Sequence, residues 1–266
     1  MNQINGYLHL HSSHSYDGKL SLPEIKEKCL ALGMSFVAMA EHIDGLTADD
    51  IQSAASECRV LSDSKFVFMP GFELPYKDCH VLLLGATDVR LDLPPLEAIK
   101  LAKQQGAFIV LAHPHRNHYQ IGQDLLELLD GIEVWNQQYD GKRYPRIQAL
   151  ELFEKSSAKK ASLLAIAGLD FHRASHFGNP HIKLDVSEIS EKEIINQLKT
   201  GNYLMVSKAV GLSSRPKLFG LQRLKVGFMS RLSCGAIAFG KSVNKWLYEH
   251  NLAMPKRLKE TIRKRL

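Results

Sequence analysis

The feature that most constrains this chain is a rhythm. A short apolar run is followed by an amphipathic stretch of helical period, about seven times over. The runs at residues 35–40, 66–70, 107–112 and 163–167 are almost wholly apolar, the pattern of strands buried on both faces, and a further strand is expected over 131–135, where Glu133 interrupts the apolar residues. Shorter strands are expected over residues 7–10, 80–84 and 203–206. Helices are expected over residues 21–32, 47–61, 94–105, 124–129, 144–157 and 191–198. Their ends carry local signals: Ser21 precedes Pro23 and Glu24, Thr47 precedes Asp49 and Asp50, and Gly33, Gly106 and Gly201 stand as stops. Strand-then-helix alternation requires crossovers, hence a mainly parallel sheet. About seven units in roughly 200 residues favour a closed TIM-like α/β barrel over an open sheet.

In such a barrel, chemistry gathers at the C-terminal ends of the strands. His9 and His11 close the first strand and His42 follows the second. Glu73 follows the third, His113 follows residues 107–112, and Asp170 and His172 follow residues 163–167. His80 opens its strand instead. His9 and His11 are two apart on a strand, so both are expected on one face. Imidazoles with carboxylates suit zinc, manganese or iron, and a carboxylate such as Glu73 can bridge two ions. A lone His-x-His is more often incidental than metal-binding, and one histidine after a strand is usually an ordinary surface or core residue. Their joint placement carries the reading. The expected nucleophile is a metal-bound hydroxide, which needs no Ser or Cys.

Charge divides the chain unevenly. Residues 208–266 hold 14 Lys and Arg against Glu249 and Glu260, while the preceding residues hold 20 basic and 26 acidic side chains. The domain edge is therefore set near Ser207, giving a hydrolase domain over residues 1–207 and a basic C-terminal extension over 208–266. The extension suits nucleic acid or an anionic surface, and a solvated tail is the plainer alternative. Residues 241–250 and 255–265 have the composition of short basic amphipathic helices. The four cysteines form no CxxC pair, no signal-peptide pattern opens the chain, and the apolar run at 232–240 is too short to span a bilayer. A cytoplasmic protein without a transmembrane segment is expected.

The ordered segments His9-Leu10-His11, Asp17-Gly18, Glu41-His42, Gly71-Phe72-Glu73, His80, Ala112-His113-Pro114 and Gly168-Leu169-Asp170-Phe171-His172 resemble the PHP (polymerase and histidinol phosphatase) domain. Gly131-Ile132-Glu133-Val134-Trp135-Asn136 resembles a further segment of that family, and the likeness runs over residues 4–207. The resemblance implies a distorted (β/α)7 barrel holding two or three divalent ions. It implies that His9, His11, Glu73 and Asp170 hold one ion, and that Glu73 bridges to a second with His80 and His113. Asp17, His42 and His172 would hold a third. Glu73, His113 and Asp170 are the expected catalytic residues. Three positions depart from the family pattern: Glu41 stands for Asp, Asp17 stands where some members have His, and Phe171 replaces a small residue. Phe171 is expected to narrow the pocket or stack on a base or ring of the substrate.

The implied activity is hydrolysis of a phosphate ester: a small phosphomonoester, a nucleotide or a short oligonucleotide. Arg116, three residues after His113, suits bidentate phosphate contact, and Arg173 adjoins His172. Trp135 and Asn136 end a strand near the site, Trp135 as a stacking ring or a core residue. His115 is a candidate proton donor to the leaving group. His118, His176 and His181 read as ordinary surface. Two other classes stay open. One is a metal-stabilised binding module that recruits nucleic acid, membrane or a protein partner through the tail with little catalysis. The other is a hydrolase of non-phosphate substrates.

Overall fold

The structure, a computed structural model, describes residues 2–249. In chain order it contains β1 (Asn2–Leu10), α1 (Leu22–Ala31), β2 (Phe36–Met39), β3 (Glu41–His42), α2 (Ala48–Leu61), β4 (Val67–Met69) and β5 (Gly71–Tyr76). There follow β6 (Cys79–Leu84), α3 (Pro95–Gln104), β7 (Phe108–Ala112), α4 (Gln123–Leu128), β8 (Gly131–Asn136), α5 (Gln137–Asp140), α6 (Ile147–Lys159) and β9 (Leu164–Gly168). The chain continues through β10 (His181–Val186), α7 (Glu191–Thr200), β11 (Tyr203–Val206), β12 (Gly211–Ser213) and α8 (Gly220–Glu249).

Two sheets form, in the orders β12-β11-β10-β1-β2-β4 and β3-β5-β6-β7-β8-β9. Ala40 alone separates β2 from β3, and Pro70 alone separates β4 from β5, so each pair is one strand that passes from sheet to sheet. Opposite this seam, Leu169 N donates to Leu8 O at 2.9 Å, and His11 N donates to Phe171 O at 2.9 Å. These bonds join the chain beyond β9 to β1. The strands β1, β2–β3, β4–β5, β6, β7, β8 and β9 thus close a distorted (β/α)7-like barrel.

The barrel is less parallel than the rhythm implies. β1–β2–β4, β3–β5 and β7–β8–β9 run parallel, but β6 is antiparallel to both β5 and β7. The cause is local: only Lys77 and Asp78 separate β5 from β6, and so short a link makes a hairpin, not a crossover. The consequence matters for chemistry. A reversed strand begins where its neighbours end, so His80, at the start of β6, pairs with Pro75 of β5 and Ala112 of β7.

Apolar runs bury both faces because two clusters meet at the barrel wall. Phe36 and Ala38 point into the cluster with Leu83, Val110 and Ile132, whereas Val37 and Met39 join Phe66, Phe68, Ile25 and Phe171 under α1 and α2. Beyond residue 207, β12 pairs with β11, Ala165 N donates to Ser214 O at 2.7 Å, and Leu212, Leu218 and Val226 enter the larger cluster. α8 covers most of the first expected tail helix (241–250), and the second (255–265) lies outside the described residues.

Leu111 is fully buried within β7. Leu111→Ala is expected to lower stability by about 2–5 kcal/mol, read as a drop in the urea midpoint with the slope unchanged.

Candidate metal centre

The centre is assembled at residues held in unusual backbone conformations. His9, His113 and Asp170 have φ of 64°, 24° and 51°, in the left-handed region that non-glycine residues seldom occupy. Each lies at or just past the end of its strand. The simple alternation expected for His9 and His11 does not hold, since β1 shifts register against β2 between Leu8 and Leu10. A bulge at His9 re-aims its ring. The two imidazoles still converge, with ring centroids 5.2 Å apart.

Glu73 is the hub, and it is fully buried. Its Oε2 lies 3.2 Å from His9 Nε2, 3.3 Å from His11 Nε2 and 3.5 Å from His42 Nδ1. Its Oε1 lies 2.9 Å from His113 Nε2 and in contact with His80 Nδ1. Asp170 Oδ1 stands 3.7 Å from His9 Nε2, 3.8 Å from His11 Nε2 and 3.6 Å from His172 Nδ1. Asp17 Oδ2 is 3.0 Å from His172 Nε2 and 3.6 Å from His42 Nε2. All nine residues expected from the sequence therefore lie together. They form overlapping groups able to hold ions: His9-His11-Glu73, His9-His113-Asp170, Glu73-His80-His113 and His11-Asp17-His42-His172.

These residues fit divalent ions on two observations. His11 Nε2 is buried without a hydrogen-bond partner. In addition, many of the nitrogen–oxygen separations, 3.2–3.8 Å, are long for hydrogen bonds. They approach the ~3.3 Å between two atoms bound to one tetrahedral ion at about 2.0–2.1 Å. Electrostatics points the same way. Burial opposes charge on His9, but Glu133, Asp170 and Glu73 outweigh it and hold its pKa well above the usual imidazole value. Burial likewise opposes charge on Glu73, but His9 and the hydrogen bonds from His113 and His80 hold its carboxyl well below the usual range. Buried carboxylates gathered this densely call for cations.

A second set of residues positions the first. Glu133 is fully buried, with Oε1 2.9 Å from His9 Nδ1, while its Oε2 accepts from His113 N at 2.7 Å and from Asn136 Nδ2 at 2.9 Å. With Nδ1 facing Glu133, Nε2 is the nitrogen turned toward Glu73 and free to meet an ion in place of a proton. Gly168 makes room for this contact, because a Cβ there would meet Glu133 Oε1 at 2.0 Å. Glu41 is also buried and accepts from Ser12 N at 3.0 Å and Ser15 Oγ at 2.5 Å. It thereby fixes the loop that carries Asp17. Residue type and spacing alone assign neither glutamate a role. A glutamate inside the apolar run 131–135 was the available signal.

The ions would lie at the floor of a cleft of about 640 Å³. Arg116 and Arg173 line it, as do Lys19, Tyr16, Gln138, Tyr139 and His176, which sequence reading either passed over or took for surface. Of the two alternatives for Trp135 the core role holds, and the expectations for Asn136 and Phe171 are corrected. Trp135 is fully buried and its indole N donates to Gly141 O at 2.9 Å, so its ring cannot stack on substrate. The register of β8 shifts between Glu133 and Trp135, leaving Glu133 on the site and Trp135 in the core. Asn136 is buried beneath the cleft, its Nδ2 donating to Glu133 and to Asp170 Oδ2 at 3.3 Å, so it positions acids instead of touching substrate. Phe171 packs on Phe177 in the second apolar cluster, with centroids 4.4 Å apart, and does not narrow the pocket. His115 packs against Tyr139 with ring centroids 3.9 Å apart and planes tilted by 39°.

Glu133→Gln keeps the shape and removes the charge behind His9. It is expected to weaken manganese or zinc binding by about 10–100-fold in titration calorimetry, with the fold retained by circular dichroism. Unchanged affinity would mean that Glu133 does not orient this ligand.

Comparison with known proteins agrees with this geometry. The chain is 31% identical over 94 residues to the DNA polymerase/3'-5' exonuclease PolX of Bacillus subtilis (strain 168), covering 29% of this chain and 16% of that protein. This chain thus spans a small part of that relative. A crystal structure from Bacteroides vulgatus ATCC 8482 also shares the fold. It is a two-domain protein containing a predicted PHP-like metal-dependent phosphoesterase, with a TM-score of 0.61 at 15% identity, covering 86% of this chain and 70% of that one. The family model of the PHP domain matches residues 7–202. With nine ligand-type side chains converging at one end of a distorted barrel, the chain belongs to the PHP domain family.

Proposed function

We propose that this protein is a metal-dependent phosphoesterase that hydrolyses a small phosphomonoester, a nucleotide or a short oligonucleotide. The observation that carries this reading is Glu73, whose two oxygens face separate histidine groups, His9 and His11 on one side and His80 and His113 on the other. Such a carboxylate suits two divalent ions, with Asp17, His42 and His172 suited to a third. Bound zinc, manganese or iron would supply polarisation of a phosphoryl oxygen and a lowered pKa for a bound water. Glu73, His113 and Asp170 are the residues assigned to the catalytic centre, and residues 1–207 to the hydrolase unit.

The chain's own groups account for the rest. Lys19, Arg116 and Arg173 on the cleft wall suit the phosphate, with Arg able to offer a paired donor edge. Tyr16 and Tyr139 flank the same cleft and suit a sugar or base. Glu133 faces His9 Nδ1 and leaves Nε2 turned toward Glu73 and the cluster. The exonuclease in the name of the Bacillus relative supports including oligonucleotides among the substrates. Four free cysteines support the reducing cytoplasm as the compartment.

The test is phosphate release from an aryl phosphate, nucleoside monophosphates and bisphosphates, histidinol phosphate and short oligonucleotides, with manganese or zinc added. Turnover is expected with at least one substrate, to stop on chelation, and to vanish in His9→Ala and Glu73→Ala. Arg116→Ala is expected to raise KM about ten-fold or more with a smaller change in kcat. Bound metal without turnover on any ester would replace this reading with that of a metal-stabilised binding module.

A further inference from the structure

α8 joins the barrel by one face. Val226 and Ser230 are buried there, Ile147 N donates to Ser230 Oγ at 3.2 Å, and Arg223 bonds Glu154 at 2.7 Å. The opposite face is unusual. Leu221, Leu224, Phe228, Leu232, Phe239 and Trp246 are between 52% and 85% exposed. At about 100° per residue, all six project within about 40° of the direction of Phe228, in a stripe about 37 Å long. Single exposed apolar side chains are common, but a continuous stripe of large ones marks an interaction surface.

Charge selects the occupant. Lys225, Arg231 and Lys245 are exposed on the same helix. From Gly220 to Tyr248 the sequence has five cations and no acid. A second copy packed stripe to stripe would bring these cations against their own kind. A nucleic acid would meet the cations and could stack bases on Phe228, Phe239 or Trp246, but it would leave Leu221, Leu224 and Leu232, half of the stripe, against water or phosphate. An anionic bilayer surface satisfies both features at once, taking Leu, Phe and Trp into the headgroup–acyl boundary and Lys and Arg among the lipid phosphates. No helix among the described residues is long and apolar enough to cross a membrane, which agrees with a helix lying in the surface plane.

We propose that α8 is an interfacial helix that docks this protein on an anionic lipid bilayer through the Leu221–Trp246 stripe and its flanking cations. The proposal stands apart from the phosphoesterase reading, since its readout is binding.

The experiment is co-sedimentation of the full chain with vesicles of phosphatidylcholine alone, and with about 30% phosphatidylglycerol added. Binding is expected to be at least about ten-fold stronger to the anionic vesicles. Trp135 is fully buried, so a blue shift of tryptophan emission on binding reports Trp246. The variant Leu224→Ser, Phe228→Ser, Leu232→Ser changes only exposed positions. It is expected to keep its thermal unfolding and lose both sedimentation and the blue shift. Should it unfold, Lys225→Glu with Arg231→Glu gives the same reading through charge. Equal or absent binding to the two vesicles overturns the proposal. So does capture of an oligonucleotide without vesicle binding, or a dimer in light scattering that the serine variant disperses while wild type ignores vesicles.

Discussion

Everything at the working end of this molecule depends on one buried carboxylate. Glu73 is fully buried, with five imidazoles within reach of its two oxygens. A charged acid in such a place is tolerated only if positive charge surrounds it. Each neighbouring element must therefore deliver a nitrogen to within a few ångströms of the same point. The bulge at His9, the hairpin that returns His80 and the left-handed residues at His113 and Asp170 are solutions to that demand. Such backbone conformations persist because the surrounding core fixes them on both sides.

The same constraint explains the shell beneath. His9 presents Nε2 to Glu73 because Glu133 holds Nδ1, and Glu133 can approach because Gly168 has no side chain. Asn136 ties Glu133 to Asp170. Asp17 reaches the outer group on a loop anchored by Glu41 through Ser12 and Ser15. Ligand, orienter and spacer thus form one connected network, and the cations of the cleft wall stand outside it. α8 belongs to a different regime, with an inward face that obeys the rules of a core and an outward face that obeys those of an interface.

Much of this was legible in the sequence. The apolar runs gave the strands β2, β4, β7, β8 and β9, and capping chemistry gave the starts of α1 and α2, where Ser21 pairs with Glu24 and Thr47 with Asp50. β10 escaped notice although Ile182, Leu184 and Val186 alternate with His181, Lys183 and Asp185, a period-two signal weaker than a continuous apolar run. The reversal of β6 was hidden because a parallel and an antiparallel buried strand have the same composition, and only its two-residue link betrays the difference. Trp135 and Phe171 read as site residues because they adjoin site residues, but adjacency in sequence says little about which side of a strand a ring takes once a bulge intervenes.

By itself, then, the sequence determined which kinds of side chain were available and at which strand ends: the nine ligand-type residues, their order, and the alternation that builds a barrel. Those are properties of residue type and spacing, which local chemistry decides. Only the tertiary structure decided which atoms share a point in space. It took barrel closure to bring Asp170 to His9, the hairpin to bring His80 to Glu73, and burial to turn Glu133 from one more strand residue into the group that aims a ligand. The physical reason is that a metal-type site is defined by distances of a few ångströms between residues up to 161 positions apart, such as His11 and His172. Such distances are fixed by packing, which local preference does not encode.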